Sequence, residues 1–123
     1  MMKRYIVVAG TRSFFDYALA ELFIDECLRD CLEDGDLPVF ISGGCEGADL
    51  LGERYAEAHG HPIERHDAKW QIYGRAAGPL RNQKMAELAD LVICFWDGKS
   101  TGTKHMMSCA IKQNKQLKVK QIG

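Results

Sequence analysis

Short unbroken apolar runs alternate along this chain with longer stretches in which apolar residues recur at threes and fours. The run RYIVVAG is β-branched and closed by glycine, which predicts a strand buried on both faces. From Asp16 to about Glu33, Leu19, Leu22, Phe23, Cys27, Cys31 and Leu32 make one helical stripe that the DGD at 34–36 ends. PVFIS is a second strand, and DLLGERYAEAHG carries helical spacing through Leu50, Leu51, Tyr55, Ala56 and His59 up to Gly60. HPIERHDA is less apolar and suits a strand at a sheet edge, whereas KWQIYGRAAG has no regular period. Pro79 then suits the first turn of a helix running to about Ala89, DLVICFWDG is the most apolar strand, and KHMMSCAIKQNK reads as a helix before a last strand, QLKVKQI.

Strands alternating with helices at this spacing predict an α/β fold: a Rossmann-like, three-layer parallel sheet of about five strands, in order 3-2-1-4-5, with helices on both faces. In such sheets ligands bind beyond the carboxyl ends of the strands where the strand order reverses, here between the first and fourth. That placement gathers GTRSF, SGGCEGAD and DGKSTGT on one rim. Each loop leads into a helix, whose unpaired N–H groups and dipole favour an anion. Thr11, Ser13, Ser42, Ser100, Thr101 and Thr103 add hydroxyls, and Arg12, Arg81 and Lys104 add cations. Trp70, Tyr73 and Trp96 offer faces for a base. Taken singly, a glycine at such a turn is explained as well by turn geometry, Asp49 by a helix cap or a pair with Arg12, and the aromatics by packing.

Composition narrows the picture. A length of 123 residues predicts a single domain spanning 1–123, and 46% hydrophobic with 27% charged residues is ordinary for a globular chain. The formal net charge of −1 supplies no general attraction for a polyanion, so neither a nucleic-acid nor a membrane partner is expected. Five cysteines, Cys27, Cys31, Cys45, Cys94 and Cys109, are odd in number and lie inside patterned segments, which predicts reduced thiols and a cytoplasmic protein. No metal-ligand spacing is complete, and His59, His61 and His66 are assigned to structure. Neither GxxxxGK[ST] nor GxGxxG occurs, so no cofactor is assigned.

AGTRSF, SGGCEGAD, AGPLRNQKM and WDGKSTGTKHM together resemble the SLOG superfamily, the Rossmann-like group of Smf/DprA and LOG proteins, and within it the small YspA-like bacterial branch. SGGCEGAD is similar to the SGxxxGxD loop of DprA-type proteins, and RNQKM followed by a GT-containing loop is similar to LOG-type nucleotide hydrolases. The resemblance implies binding of a nucleotide or nucleotide derivative at the glycine rim, in a homodimer, with the glycines admitting phosphate or ribose to the backbone. The ligand set it implies is Gly10, Thr11, Arg12 and Ser13; Ser42, Gly43, Gly44, Glu46, Gly47 and Asp49; Arg81 and Asn82; and Ser100, Gly102 and Thr103. LOG hydrolases carry a glutamate shortly after the last glycine-threonine pair, whereas Gly102-Thr103 is followed here by Lys104, His105 and Met106. Catalysis is therefore left open, and the expected function is ligand binding in the manner of a sensor domain. The alternatives are cleavage of nucleoside 5′-monophosphates to base and sugar phosphate, with Glu46 or Asp49 supplying the carboxylate, and single-stranded nucleic-acid binding of the DprA type.

Overall fold

The computed structural model describes residues 2–123. Five parallel strands, β1 (Lys3–Gly10), β2 (Leu37–Ser42), β3 (Ile63–Arg65), β4 (Leu91–Trp96) and β5 (Gln116–Gln121), form one sheet in the order β3-β2-β1-β4-β5. β1 is central, with Val7 opposite Ile41 on one side and Val92 on the other. Successive side chains of a strand face opposite ways. Ile6 and Val8 join Phe40, Ile93 and Phe95 in one core layer, while Val7 and Ala9 join Ile41, Val92 and Cys94 in the other. Both faces are covered, which is why the strands read as continuous apolar runs.

Helices α1 (Tyr17–Glu33) and α2 (Ala48–Ala58) close the first layer. Asp16 caps α1 by accepting a hydrogen bond from the Leu19 N–H at 3.1 Å, and Ala20, Ile24, Cys27, Leu28 and Cys31 form its buried stripe. A short α3 (Trp70–Tyr73) and a 3-10 turn (Gly74–Ala76) lead into α4 (Ala77–Leu88), which with α5 (Thr101–Lys112) closes the second layer. The sequence without regular period thus holds a helical turn and the true start of α4. Pro79 is the third residue of that helix, still within the first turn where a missing N–H breaks no intrahelical bond. α5 likewise starts earlier than its apolar stripe, because Ser100 accepts a hydrogen bond from the Thr103 N–H and fixes the first turn before the stripe begins.

The five cysteines are free thiols. Cys27, Cys31, Cys94 and Cys109 are buried, and burial pushes the Cys94 thiol up to about 12, so it packs as a small apolar group. No helix among the described residues is long and apolar enough to cross a membrane.

Candidate functional site

Beyond the carboxyl ends of β1 and β4 the chain leaves a cavity of about 650 Å³. Its walls are the β1–α1 loop (Gly10, Thr11, Arg12, Ser13), the α2 side (Cys45, Asp49), α4 (Arg81, Asn82, Met85) and the β4–α5 junction (Asp97 to Thr103 except Gly98), with Met106 and Ala9 beneath. The topology forces this position: β2 lies on one side of β1 and β4 on the other, so their outgoing loops diverge and leave a crevice.

The loop between β2 and α2 is built differently from the phosphate cradle its glycines suggested. Gly43 does not line the cavity; a Cβ there would lie 2.8 Å from Arg81 Nη1 and 2.9 Å from Asp49 Oδ2, so the glycine admits two charged side chains. Gly47 takes φ +81°, and a Cβ there would meet the Thr11 carbonyl oxygen at 2.4 Å. The close approach lets the Ala48 N–H donate to that same carbonyl at 3.3 Å, tying this loop to the one after β1. Gly44 faces Arg65 and Asp67, Ser42 donates to Glu53 at 2.6 Å, and Glu46 is exposed outside the cavity. Ser42, Gly43, Gly44, Glu46 and Gly47 are thus kept out of the cavity wall, while the other ten predicted residues are brought together in it.

Those ten are not equivalent. Arg81 sits in the fifth position of α4, past the first turn that Pro79 suggested, because the helix begins at Ala77. Its guanidinium donates to the Gly43 carbonyl at 2.9 Å and to Asn82 Oδ1 at 3.3 Å, and lies 3.8 Å from Cys45 Sγ. Asn82 is buried and spends its amide within the fold, donating to the Gly102 carbonyl at 3.4 Å and approaching His105 Nδ1 at 3.2 Å. Arg12 is exposed at the wall and makes no side-chain hydrogen bond or ion pair among the described residues. Thr11 Oγ1 accepts from the Asp97 N–H at 3.2 Å, and Asp97 in turn accepts from the N–H groups of Lys99 and Ser100, both at 2.8 Å. Those two backbone bonds hold the Asp97 carboxyl below the usual carboxylate range.

Asp49 is only 5% exposed. Desolvation raises its carboxyl to about 6, against the lowering influence of the Cys45 N–H, which donates to Oδ2 at 3.2 Å, and of Arg81. Glu53 raises it further and Arg12 lowers it. After Gly102-Thr103 no carboxylate enters the cavity: Lys104 is exposed, His105 contacts Asn82 and Cys109, and Met106 lines the wall.

Sequence reasoning missed Ala9, Cys45, Met85, Asp97, Lys99 and Met106 as wall residues, and counted Thr101 among the rim hydroxyls without placing it in the ligand set. Asp97 had a readable signal, an acid at a strand's end with Ser100 three residues on, the pattern of a side chain that folds the loop over itself. Met85 and Met106 had none, since their helical spacing is that of core residues. The aromatics lie outside the wall: Trp70 packs its edge beside Gly78, and Trp96 donates to the Ser100 carbonyl at 3.1 Å.

The family model described as YspA, cpYpsA-related SLOG family matches residues 4–73, more than half of the chain. The chain belongs to this SLOG family. The match includes the loops after β1 and β2 but ends before α4 and α5, which supply the other half of the cavity wall. The Gene 61 protein of Mycobacterium phage D29 is 39% identical over 80 residues, which are 60% of this chain and 64% of that protein. DNA processing protein A (DprA) of Streptococcus pneumoniae has the same fold, with a TM-score of 0.71 at 17% identity over 96% of this chain and 50% of DprA. The SLOG chain therefore spans less than two thirds of either protein's length.

Proposed function

We propose that this SLOG domain binds a nucleotide or nucleotide derivative in the cavity between β1 and β4. One observation carries the reading: a single crevice of about 650 Å³ joins an uncommitted cation, Arg12, to the first turn of α5 over an apolar floor of Ala9, Met85 and Met106. That volume is in the range of small-molecule sites. The helix start and the guanidinium suit phosphate, and the floor suits a flat ring. Calorimetry with ribonucleoside 5′-monophosphates, NAD and ADP-ribose tests it; saturable binding is the expected result, and no binding to any of them removes the proposal.

A nucleic-acid ligand is the second reading. The fold is shared with a protein named for DNA processing, so the expectation against nucleic acid, which rests on net charge, gains no support from the comparisons. Titration with a single-stranded oligonucleotide separates the two: affinity that falls steeply with salt favours the second. We further propose a cytoplasmic location, in keeping with the free thiols, and a homodimer of the nucleotide-binding domain, for which Trp70, Ile72, Tyr73 and Leu80 supply exposed apolar surface. Sedimentation of the wild type against Ile72→Lys tests the dimer, with dissociation of the variant expected.

A further inference from the structure

The Asp49 carboxylate is nine-tenths buried, yet only Oδ2 has a hydrogen-bond partner among the described residues, the Cys45 N–H. No buried side-chain oxygen or nitrogen there is both sealed and unpartnered, so Oδ1 keeps access to open space, and Asp49 lines the cavity. A desolvated carboxylate oxygen held this way gains most from a donor that comes with the ligand.

What that donor is follows from the rest of the wall. Asp49 Oδ2 and Arg81 Nη1 come together over Gly43, whereas Asn82, the next residue of α4, donates to the Gly102 carbonyl, so the acid and the start of α5 occupy different places along the wall, reached by successive side chains of α4. A phosphate is repelled by Asp49 and drawn to the α5 side, where Thr101, Gly102 and Thr103 open the helix, and to Arg12. A flat base has the apolar floor of Ala9, Met85 and Met106. The part of a nucleotide that remains is the sugar between them.

We infer that Asp49 Oδ1 accepts a hydrogen bond from one hydroxyl of the ribose 2′,3′-diol, which makes the site selective for ribosyl over deoxyribosyl phosphates. This rests on the nucleotide reading above and adds to it the sugar that the cavity distinguishes. Gly43 is part of the device, because the absence of a Cβ lets Asp49 and Arg81 both approach the space a side chain there would fill.

The test uses the four common ribonucleoside 5′-monophosphates with their 2′-deoxy and 3′-deoxy counterparts, titrated into wild type, Asp49→Asn and Asp49→Ala by calorimetry or by NMR at millimolar concentration. Loss of one of the two hydroxyls is expected to weaken wild-type binding about tenfold or more, as for a hydrogen bond to a charged acceptor. Asp49→Asn should shrink that ratio to a few-fold and Asp49→Ala should abolish it, while both keep the preference for monophosphate over nucleoside. A purely structural Asp49 would weaken all ligands together and leave the ratio unchanged, which would overturn the inference. Equal binding of ribo- and deoxyribonucleotides by the wild type would also overturn it, with the nucleotide site left standing. A variant that lost discrimination between adenine and hypoxanthine instead would show the donor to be a base amine and overturn it too. Absence of binding by every nucleotide would remove the inference together with the reading beneath it.

Discussion

Two arginines reach the cavity, and their surroundings give them different work. Arg81 is held by the Gly43 carbonyl and Asn82, so it joins α4 to the loop before α2, whereas Arg12 has no such partner among the described residues. Arg81→Ala is therefore expected to lower stability by about 1–2 kcal/mol, the scale of one or two hydrogen bonds, and to weaken phosphorylated and unphosphorylated ligands alike. Arg12→Ala should leave the melting temperature unchanged and cost about tenfold or more in affinity for a nucleoside monophosphate but not for the nucleoside. Thermal melts beside paired titrations decide between them. Asp49 gives a second residue-scale prediction. Its carboxyl is raised to about 6 in the fold, so the folded state holds a proton that the unfolded chain has released. Stability from this group is present below the unfolded carboxylate range, is lost as pH rises through about 6, and the loss is complete above it. The shift corresponds to about 3 kcal/mol. Burial sets the shift and Glu53 adds to it, against the Cys45 N–H, Arg81 and Arg12, which lower it. Asp49→Asn, measured by urea unfolding at pH 4 and pH 7, should therefore gain on the wild type by that order as pH rises; an equal difference at both values would refute the shift.

At the scale of elements, the loops matter more for how they hold one another than for glycine count. Gly47→Ala combines a left-handed backbone with a clash against the Thr11 carbonyl, and a loss of about 2–4 kcal/mol is expected from strain and overpacking together. Ser100→Ala removes the hydroxyl that caps α5, at a cost of about 1 kcal/mol, and should weaken phosphate binding because the first turn frays. Chemical denaturation of both variants checks the order. These same elements mark what the sequence made legible. Alternating layers of Ile6, Val7, Val8 and Ala9 are written in an unbroken apolar run, and the order 3-2-1-4-5 follows from handedness and spacing. The crevice followed from that order. The work of the glycines did not: an approach of Thr11 to Gly47, or of Arg81 to Gly43, joins residues far apart in the chain, and no local pattern records it. α3 was hidden for a related reason, since four residues are too few to show a period.

For the whole molecule, the charge of the chain lends the proposed site no general attraction for an anion, so a ligand there would have to be held locally. The formal net charge is −1, and the cations in the wall are Arg12, Arg81 and Lys99, one of them already engaged with the protein. A small anion drawn into a cavity with so few cations sits close to its partners, within the screening length of about 8–10 Å at moderate salt, and loses little when salt is added. A single strand laid along the rim would instead need several phosphate contacts, and each contributes counterion release to the salt slope. The expectation is that mononucleotide affinity changes by only a few-fold between 50 and 200 mM salt, about the effect of screening one charged contact. For an oligonucleotide neutralising about three phosphates, a slope near −0.7 per phosphate corresponds to a fall of roughly twentyfold over the same range. Calorimetry at both salt concentrations, with one ribonucleotide and one oligonucleotide, places the molecule on one line or the other. A steep slope for the oligonucleotide, with tight binding at low salt and none for the mononucleotide, would move the functional surface from the cavity to the open rim around it.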